Sequence, residues 1–216
     1  MQTKQQPMTK NNPVPSLASG FGPVPTRIGN RPPLVVTSDS AANTMKRQVT
    51  EMLHEFAVKI AIAHRSAAEA YLSQDMYNEA VPHLETAVRF APDELEHTNQ
   101  LGFVRYIAGD DQGAIAAFTT VLTRQPDNGD ALFNLGMVLF GQNEIARAEE
   151  CFSRACDARP DDAEAWNNRG VSAHRQGKTS DANVCFRRAL SLNPSDQDAI
   201  ANLESLTAAT AGKPIA

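Results

Sequence analysis

The chain has 216 residues, a net charge of −5 at pH 7 and 42% hydrophobic residues. This length is sufficient to bury a sizeable core. Residues 1–43 hold four basic residues and one acidic residue, a balance of +3, so the remainder carries −8. An acidic folded part argues against nucleic acid as the main partner, because neutralising phosphate requires clustered basic residues. No apolar run is long enough to predict a membrane-spanning helix.

The three cysteines, Cys151, Cys156 and Cys185, are an odd number for a disulfide framework. We expect reduced thiols in a cytoplasmic protein. The five histidines have no metal-ligand spacing among themselves or with the cysteines, and the sequence has no phosphate-binding loop. We therefore expect no metal, no cofactor and no catalysis.

Residues 1–43 form a Pro-rich segment that holds seven of the 13 prolines. Such a composition cannot bury enough surface to offset its ordering entropy, so it predicts a disordered tail. Residues 13–16 and 23–26 are similar to each other. A docking motif and a plain solvated tail both explain them.

Residues 44–60 are predicted to form an N-terminal capping helix, because their apolar residues recur at steps of three and four. These residues are Met45, Val49, Met52, Phe56 and Ile60. The helix is expected to run into, or to break just before, the helix that follows. An end element of a repeat array caps an exposed core face. A helix through which two copies dimerise is the alternative.

Residues 61–196 repeat with a period of 34 residues, in four units that cover 61–94, 95–128, 129–162 and 163–196. Each unit ends near a proline that is followed by Asp or Ser. The prolines are Pro92, Pro126, Pro160 and Pro194. Proline cannot continue a helix, and Asp or Ser favours a helix start, so each pair separates two units.

Within each unit the eighth and twentieth residues are small, and the twenty-fourth is Leu or Phe. Small residues let two helices cross closely, and the large side chain fills the space beside them. The fourth unit, with Trp166, Gly170, Ala182, Phe186 and Pro194, resembles the tetratricopeptide repeat. The resemblance implies an all-α superhelix (α-solenoid) of about four helix–turn–helix repeats. Capping helices are expected at both ends, and the C-terminal one occupies residues 197–216 and frays at its end.

In this family the first helix of each unit lines a concave groove, which implies a non-catalytic module that binds a peptide segment of a partner protein. By position, the sixth residues are Ser66, Gln100, Asn134, Asn168 and, in the C-terminal capping helix, Asn202. The three asparagines, one repeat apart, resemble the asparagine ladder of O-linked N-acetylglucosamine transferases. An amide both donates and accepts, so it pairs with any peptide backbone. The alternative is that these amides bond to the neighbouring unit.

An apolar strip is expected beside these amides, at the fifth, ninth, twelfth and thirteenth positions. It comprises Phe103, Tyr106, Ile107, Phe133, Met137 and Phe140. Its rim differs, because His174 and Arg175, together with Arg65, are suited to accept acidic groups. Exposed apolar surface of this extent predicts a partner, and Phe, Tyr and Met are enriched in interface centres. The alternative is that the chain's own N-terminal helix or tail covers the strip.

Acidic residues recur at the second position, at Glu96, Asp130, Glu164 and Asp198. They favour a basic ligand, and they also favour a helix start through the helix dipole. The family's carboxylate clamp for chaperone C-termini does not fit, because an acid stands where a base is required. The sequence thus predicts an adaptor or assembly factor. The alternatives are a self-assembling scaffold, in which the 44–60 helix of one copy enters the groove of the next, and a secretion-type chaperone.

Overall fold

The computed structural model of the protein describes residues 38–211, with the side chains of residues 40–208. All regular structure in this part of the chain is helical, so the predicted all-α fold is confirmed. The nine helices of this part are α1 (Ser38–Leu72), α2 (Tyr77–Phe90), α3 (Leu95–Ile107), α4 (Asp111–Arg124), α5 (Gly129–Gly141), α6 (Ile145–Ala158), α7 (Ala163–Arg175), α8 (Thr179–Leu192) and α9 (Gln197–Ala211). None of them is long and apolar enough to cross a membrane.

The helices stack in the order of the chain. From α2 to α9, consecutive helices pack against each other, and α3 also contacts α5 as α7 contacts α9. Contacts between near neighbours in sequence are the defining property of repeat proteins. The compact unit that starts at Thr44 is therefore an α-solenoid, in which α3–α4, α5–α6 and α7–α8 are helical hairpins.

Each of these hairpins places a glycine of its first helix against a phenylalanine of its second. A Cβ atom on Gly102, Gly136 or Gly170 would lie only 2.7, 2.7 or 2.6 Å from the facing ring. The rings belong to Phe118, Phe152 and Phe186. All three are at most 2% exposed. The two helices of a hairpin therefore cross at a distance that no larger residue permits.

The helices start one residue later than the prolines predict. The sequence indicates caps directly after each proline, for example at Asp127. In the structure the cap is Asn128, whose side chain accepts from the N–H of Ala131 at 2.9 Å. Asp162 and Asp196 cap α7 and α9 in the same way. The reason is that each proline and the residue after it form the turn between helices, so the next residue becomes the cap.

The first helix is longer than the sequence predicts. α1 is continuous over Ser38–Leu72, so the 44–60 segment runs into the first repeat without a break. Residues 38–43 belong to this helix rather than to the expected tail. Ala41 and Ala42 have high helix propensity, and no proline lies near them to end the helix. The rest of the tail, and residues 212–216 at the expected frayed end, lie outside the described residues.

The N-terminal half of α1 presents an exposed apolar face. Met45 is 68% exposed, Leu53 64% and Phe56 56%. Val49, Met52 and Ile60 are exposed on the same side. Farther along the helix, Ala61 and Ala68 are buried against α2. At 100° per residue these two alanines lie on a different side of the helix from the exposed set, so α1 has an apolar face that its own hairpin does not use.

Candidate protein-binding groove

The residues predicted to bind a partner lie on α9 and on the first helices of three hairpins. α3 contacts α5, and α7 contacts α9. The predicted residues are Gln100, Phe103 and Tyr106 on α3, Phe133, Asn134, Met137 and Phe140 on α5, Asn168, His174 and Arg175 on α7, and Asn202 on α9. We call the surface that these residues form the groove.

The part of the groove nearest the N-terminus is an open cavity of about 420 Å³. Gln100, Phe103 and Asn134, from two repeats, meet in its lining. The remaining lining residues are Arg65, Glu69, Glu96, Asn99 and Asp130. We call this space the N-terminal cavity. Its volume falls within the usual range of ligand-binding clefts.

Phe103 is the most exposed of the predicted apolar residues. Its exposed fraction is 45%, and that of Ile107, one turn along α3, is 44%. Phe133 is half-buried, because its ring packs against Phe152 with 5.7 Å between the ring centroids. The other half-buried members of the strip are Tyr106, Met137 and Phe140, which pack against the core. The exposed apolar surface is therefore narrower than the sequence predicts.

Arg175 of α7 covers the ring of Phe140 of α5. Its guanidinium carbon lies 4.5 Å from the ring centroid, which is cation–π geometry. Both residues are predicted to bind a partner, and His174 is exposed beside Arg175. Phe140 and Arg175 are therefore already in contact with each other within the chain, while His174 is open to solvent.

A second open space of about 510 Å³ lies toward the C-terminal end of the groove. Of the predicted residues, Met137 and Asn168 line it. The other lining residues are Ala163, Glu164, Asn167, Asn193, Asp196 and Asp198. We call this space the C-terminal cavity. Its lining contains three carboxylates and no basic side chain, so it is an acidic surface.

The predicted amides are not equivalent in the structure. Asn202 donates from Nδ2 to Oδ1 of Asn167 at 3.0 Å, so its amide serves the contact between α9 and α7. The side-chain amides of Gln100, Asn134 and Asn168 have no hydrogen-bond partner within the described residues and are half-buried. Asn202 therefore bonds to the neighbouring unit, which is the alternative to binding a peptide backbone. Its partner is a side chain rather than the backbone.

Carboxylates and one arginine form a network along the wall of the groove. Asp130 is ion-paired with Arg159, which also bonds to Asp162 at 2.8 Å. Burial raises the pKa of Glu164, and the carboxylates of Asp162 and Asp196 raise it further, against the opposing effect of Arg159. A raised pKa means that the charged form of Glu164 is disfavoured here. A cation in the C-terminal cavity would stabilise the charged form of Glu164.

Sequence reasoning missed two asparagines at the fifth position of the repeat. Asn99 and Asn167 are each 9% exposed and line the N-terminal and C-terminal cavities. The oxygen Oδ1 of Asn99 is buried and has no hydrogen-bond partner within the described residues. The signal was present, because these two asparagines lie two repeats apart at a position that faces the groove in this family.

His97 lies on the side of α3 that faces α1. It is 7% exposed, and its Nδ1 has no hydrogen-bond partner within the described residues. Burial and then the charge of Arg65 lower the pKa of His97, against the smaller opposing effects of Glu94 and Glu96. The imidazole is therefore neutral at pH 7.

Chemistry at cysteine is disfavoured by the surroundings of the three thiols. Cys151, Cys156 and Cys185 are free. Burial raises the pKa of Cys156 to about 12 and also raises the pKa values of the other two. Thiols with raised pKa values are poor nucleophiles at neutral pH. Within the described residues, no group of three or more His, Cys, Asp or Glu is placed to hold a metal ion.

Comparisons with known proteins identify the repeat. Two family models, each described as tetratricopeptide repeat, match residues 106–169 and 163–196. These ranges begin at the end of α3 and include α4 to α8, so they contain the second and third hairpins in full. No curated protein matches the sequence.

Several solved structures have a similar fold. MamA (residues 41 to end) from Desulfovibrio magneticus RS-1 is 22% identical over 70% of this chain and 86% of that chain, with a TM-score of 0.66. YrrB, described as a TPR protein with an unusual peptide-binding site, is 21% identical over 77% and 87%, with a TM-score of 0.59. The first TPR of Spaghetti (RPAP3), bound to the HSP90 peptide SRMEEVD, is 22% identical over 56% and 95%, with a TM-score of 0.54.

Proposed function

Because this chain is a tetratricopeptide repeat protein, we propose that it is a non-catalytic adaptor or assembly factor whose groove binds an extended segment of another protein. The observation that carries the proposal is the N-terminal cavity, where two side-chain amides lie beside the exposed ring of Phe103. These amides, Gln100 and Asn134, have no hydrogen-bond partner within residues 38–211. Polar groups that can both donate and accept, next to an exposed ring, suit a peptide better than a small apolar ligand.

The amides of Gln100, Asn134 and Asn168 would hold the main chain of the bound segment. They occur at the same position of successive repeats, and none is used within the described residues. Each amide offers one acceptor oxygen and two donor hydrogens, which match the N–H and C=O groups of an extended backbone. Asn202 is not part of this set, because Asn167 already holds it.

Two of the structural relatives support a peptide ligand. YrrB is described as having a peptide-binding site, and the Spaghetti domain is bound to the HSP90 peptide SRMEEVD. That peptide is acidic, whereas Asp130, Glu96 and Glu69 line the N-terminal cavity here. We therefore propose a different class of ligand for this chain, and a cytoplasmic location in keeping with its free thiols.

Selection from a library of short linear random peptides on the immobilised full chain tests the proposal. Peptides recovered on the wild type are then synthesised, and their Kd values are measured by fluorescence anisotropy. We expect the double variant Asn134→Ala/Asn168→Ala to bind every recovered peptide about tenfold more weakly, because each lost amide removes hydrogen bonds to the peptide backbone.

The matched control is Asn78→Ala, on the exposed surface of α2 and away from the groove. It should leave each Kd unchanged, and circular dichroism melts should show that all variants are folded. Recovery of no peptide on the wild type, or equal binding by the double variant, would count against the groove as a binding site.

The exposed apolar face of α1 favours a second candidate function, self-association through two copies of this helix. Met45, Val49, Met52, Leu53 and Phe56, with Ile60, present together roughly 600 Å² of apolar side chain, so two such faces would bury roughly 1,200 Å². That area is at the lower end of stable protein interfaces. The face is also as wide as the stripe of a helix that packs on another helix.

Light scattering of the full chain after size exclusion distinguishes a monomer from a dimer. We expect the wild type to be a dimer, and Leu53→Glu/Phe56→Glu to be a monomer, because the added charges would be buried in the interface. The matched control, Thr50→Glu/His54→Glu, adds the same charge on another side of the exposed helix and should remain dimeric. A monomeric wild type would exclude this candidate and leave the groove proposal intact.

A further inference from the structure

The lining of the N-terminal cavity has more acidic than basic side chains. Glu69, Glu96 and Asp130 line it together with a single basic residue, Arg65. The Nε of Arg65 is 3.7 Å from the carboxylate of Glu69, which is an ion pair beyond hydrogen-bond distance. Asp130 is paired with Arg159 from outside the cavity. These two carboxylates are therefore partly compensated.

Glu96 is the carboxylate of the cavity that has no basic partner within residues 38–211, although the N-terminus of α3 favours its charge through the helix dipole. It is exposed in the first turn of α3 and forms no ion pair within the described residues. Its neighbour His97 is neutral because burial lowers its pKa, so it supplies no positive charge. A carboxylate that lines a concave surface attracts a cation more strongly than one on a convex surface, because low-dielectric walls focus its field.

Asn99 gives independent evidence for a missing donor in the same cavity. Its side chain is only 9% exposed and lines the cavity. Its Oδ1 has no donor within the described residues. Leaving a buried acceptor unsatisfied is unfavourable, so such an atom usually has a partner when the protein is in its working state.

We propose that the N-terminal cavity receives a basic side chain, Lys or Arg, of the segment bound in the groove. The charged nitrogen would pair with Glu96. The side chain of Asn99 would turn so that Oδ1, which is buried in the free protein, accepts a hydrogen bond from it. The aliphatic stem would lie against the exposed ring of Phe103, whose face also attracts a cation. This inference rests on the proposed function and adds the chemical class of the partner: a protein segment with a basic residue at its anchor position.

An acidic anchor is the opposite outcome, and Arg65 is the residue that would attract it. The Nε of Arg65 is buried and has no hydrogen-bond partner within the described residues. The cavity nevertheless favours a base, because three carboxylates line it against one guanidinium. The guanidinium of Arg65 is moreover already near Glu69. The net charge of the lining therefore selects against a carboxylate ligand.

The peptides recovered by random-peptide selection on the full chain are the probe. We expect them to be enriched in Lys or Arg at one aligned position. Replacing that residue by Gln in the peptide should raise the Kd at least tenfold, as expected for the loss of a charge-assisted hydrogen bond. The protein variant Glu96→Gln should raise the Kd of the original peptide by a similar factor. It should hardly change the Kd of the peptide that carries Gln.

This double-mutant cycle isolates the pairing between Glu96 and the basic residue of the peptide. Glu150→Gln, an exposed carboxylate on α6 without an ion pair in the described residues, is the matched control and should leave both Kd values unchanged. Three outcomes would overturn the inference while the groove remains a binding site. They are recovered peptides that show no preference for a basic residue, recovered peptides that prefer an acidic residue, and additive effects of the two substitutions in the cycle. Recovery of no peptide would overturn the proposed function and this inference together.

Discussion

Asn202 of α9 donates a hydrogen bond from Nδ2 to Oδ1 of Asn167 of α7, at 3.0 Å. The bond joins the last helix to the last full repeat, and Asn167 is almost completely buried beneath it. An amide that resembles a ligand-binding residue by its position in the repeat is thus part of the internal structure.

The first prediction concerns this bond. Asn202→Ala leaves the buried Oδ1 of Asn167 without a donor, so we expect it to lower the free energy of unfolding by about 1–2 kcal/mol and Tm by a few degrees. Asn134→Ala, at the same repeat position but without such a bond, should change Tm much less. Differential scanning calorimetry measures both. Equal Tm changes would show that the bond does not stabilise α9.

The second prediction concerns the close helix crossings. In Gly136→Ala the new Cβ would lie 2.7 Å from the ring of Phe152, which is fully buried and cannot move aside. We expect destabilisation by roughly 2 kcal/mol, because overpacking outweighs the helix propensity of alanine. Urea unfolding followed by circular dichroism measures this change.

Gly141→Ala is the control for that experiment. Gly141 is exposed at the end of α5, and a new Cβ there would lie 4.0 Å from the hydroxyl of Tyr106. Here we expect no loss of stability, or a gain of up to about 1 kcal/mol. A Gly136→Ala variant as stable as this control would contradict the proposed crossing distance.

The third prediction is a pH dependence of stability that arises from His97. The pKa of His97 is lowered in the folded protein, so below about pH 6.5 the unfolded chain binds a proton that the folded chain does not. Stability therefore decreases as the pH falls from about 7 to about 5. His97→Gln should flatten this part of the Tm profile, whereas His54→Gln, at an exposed position of α1, should leave it unchanged.

The fourth prediction concerns the thiols. Burial raises the pKa of Cys156 to about 12, so iodoacetamide should modify it slowly in the native protein and rapidly in the denatured one. Cys151 is half-buried and should react first. Mass spectrometry of digests taken over time gives the order. Modification of Cys156 before Cys151 in the native chain would contradict the observed burial.

The raised pKa of Cys156 also affects the stability of the fold at alkaline pH. Above about pH 9 the unfolded chain loses a proton from Cys156 that the folded chain keeps, so stability decreases as the pH rises from about 9 toward about 12. Cys156→Ala removes this contribution. Its Tm should therefore depend less on pH in that range than that of the wild type, even though its Tm is lower at pH 7.

The periodic part of the fold could be predicted from the sequence because it depends on a few local rules. Gly136 and Phe152 recur at fixed positions, and their packing repeats in each hairpin. The cap was misplaced to Asp127 because a proline signals only that a turn is near, whereas Asn128 caps the helix through the geometry of that turn. The start of α1 at Ser38 was missed because the sequence there offers neither a breaker nor a repeat to compare. The continuous course of α1 into the first repeat is one of the two outcomes that the sequence left open.

The groove was predictable in position but not in detail. Phe103 is exposed as its repeat position indicates, yet Phe133 is half-buried because Phe152 offers it a ring to pack against. Whether a side chain at such a position points into the groove or toward the second helix depends on the neighbouring rotamers, which no single-sequence pattern encodes. The role of Asn99 was missed for the same reason, since Arg65 and Glu69 of α1 complete the cavity that it lines.

The nearest-neighbour stacking of α2 to α9 has a kinetic consequence. Chains whose contacts join residues close in sequence fold quickly, because little loop entropy must be lost before each contact forms. A nascent hairpin such as α5–α6 has its glycine and its ring within one short stretch of polypeptide, so it can form as soon as that stretch is synthesised. Assembly from any point along the array, rather than around one late-forming nucleus, is the folding route that this architecture favours.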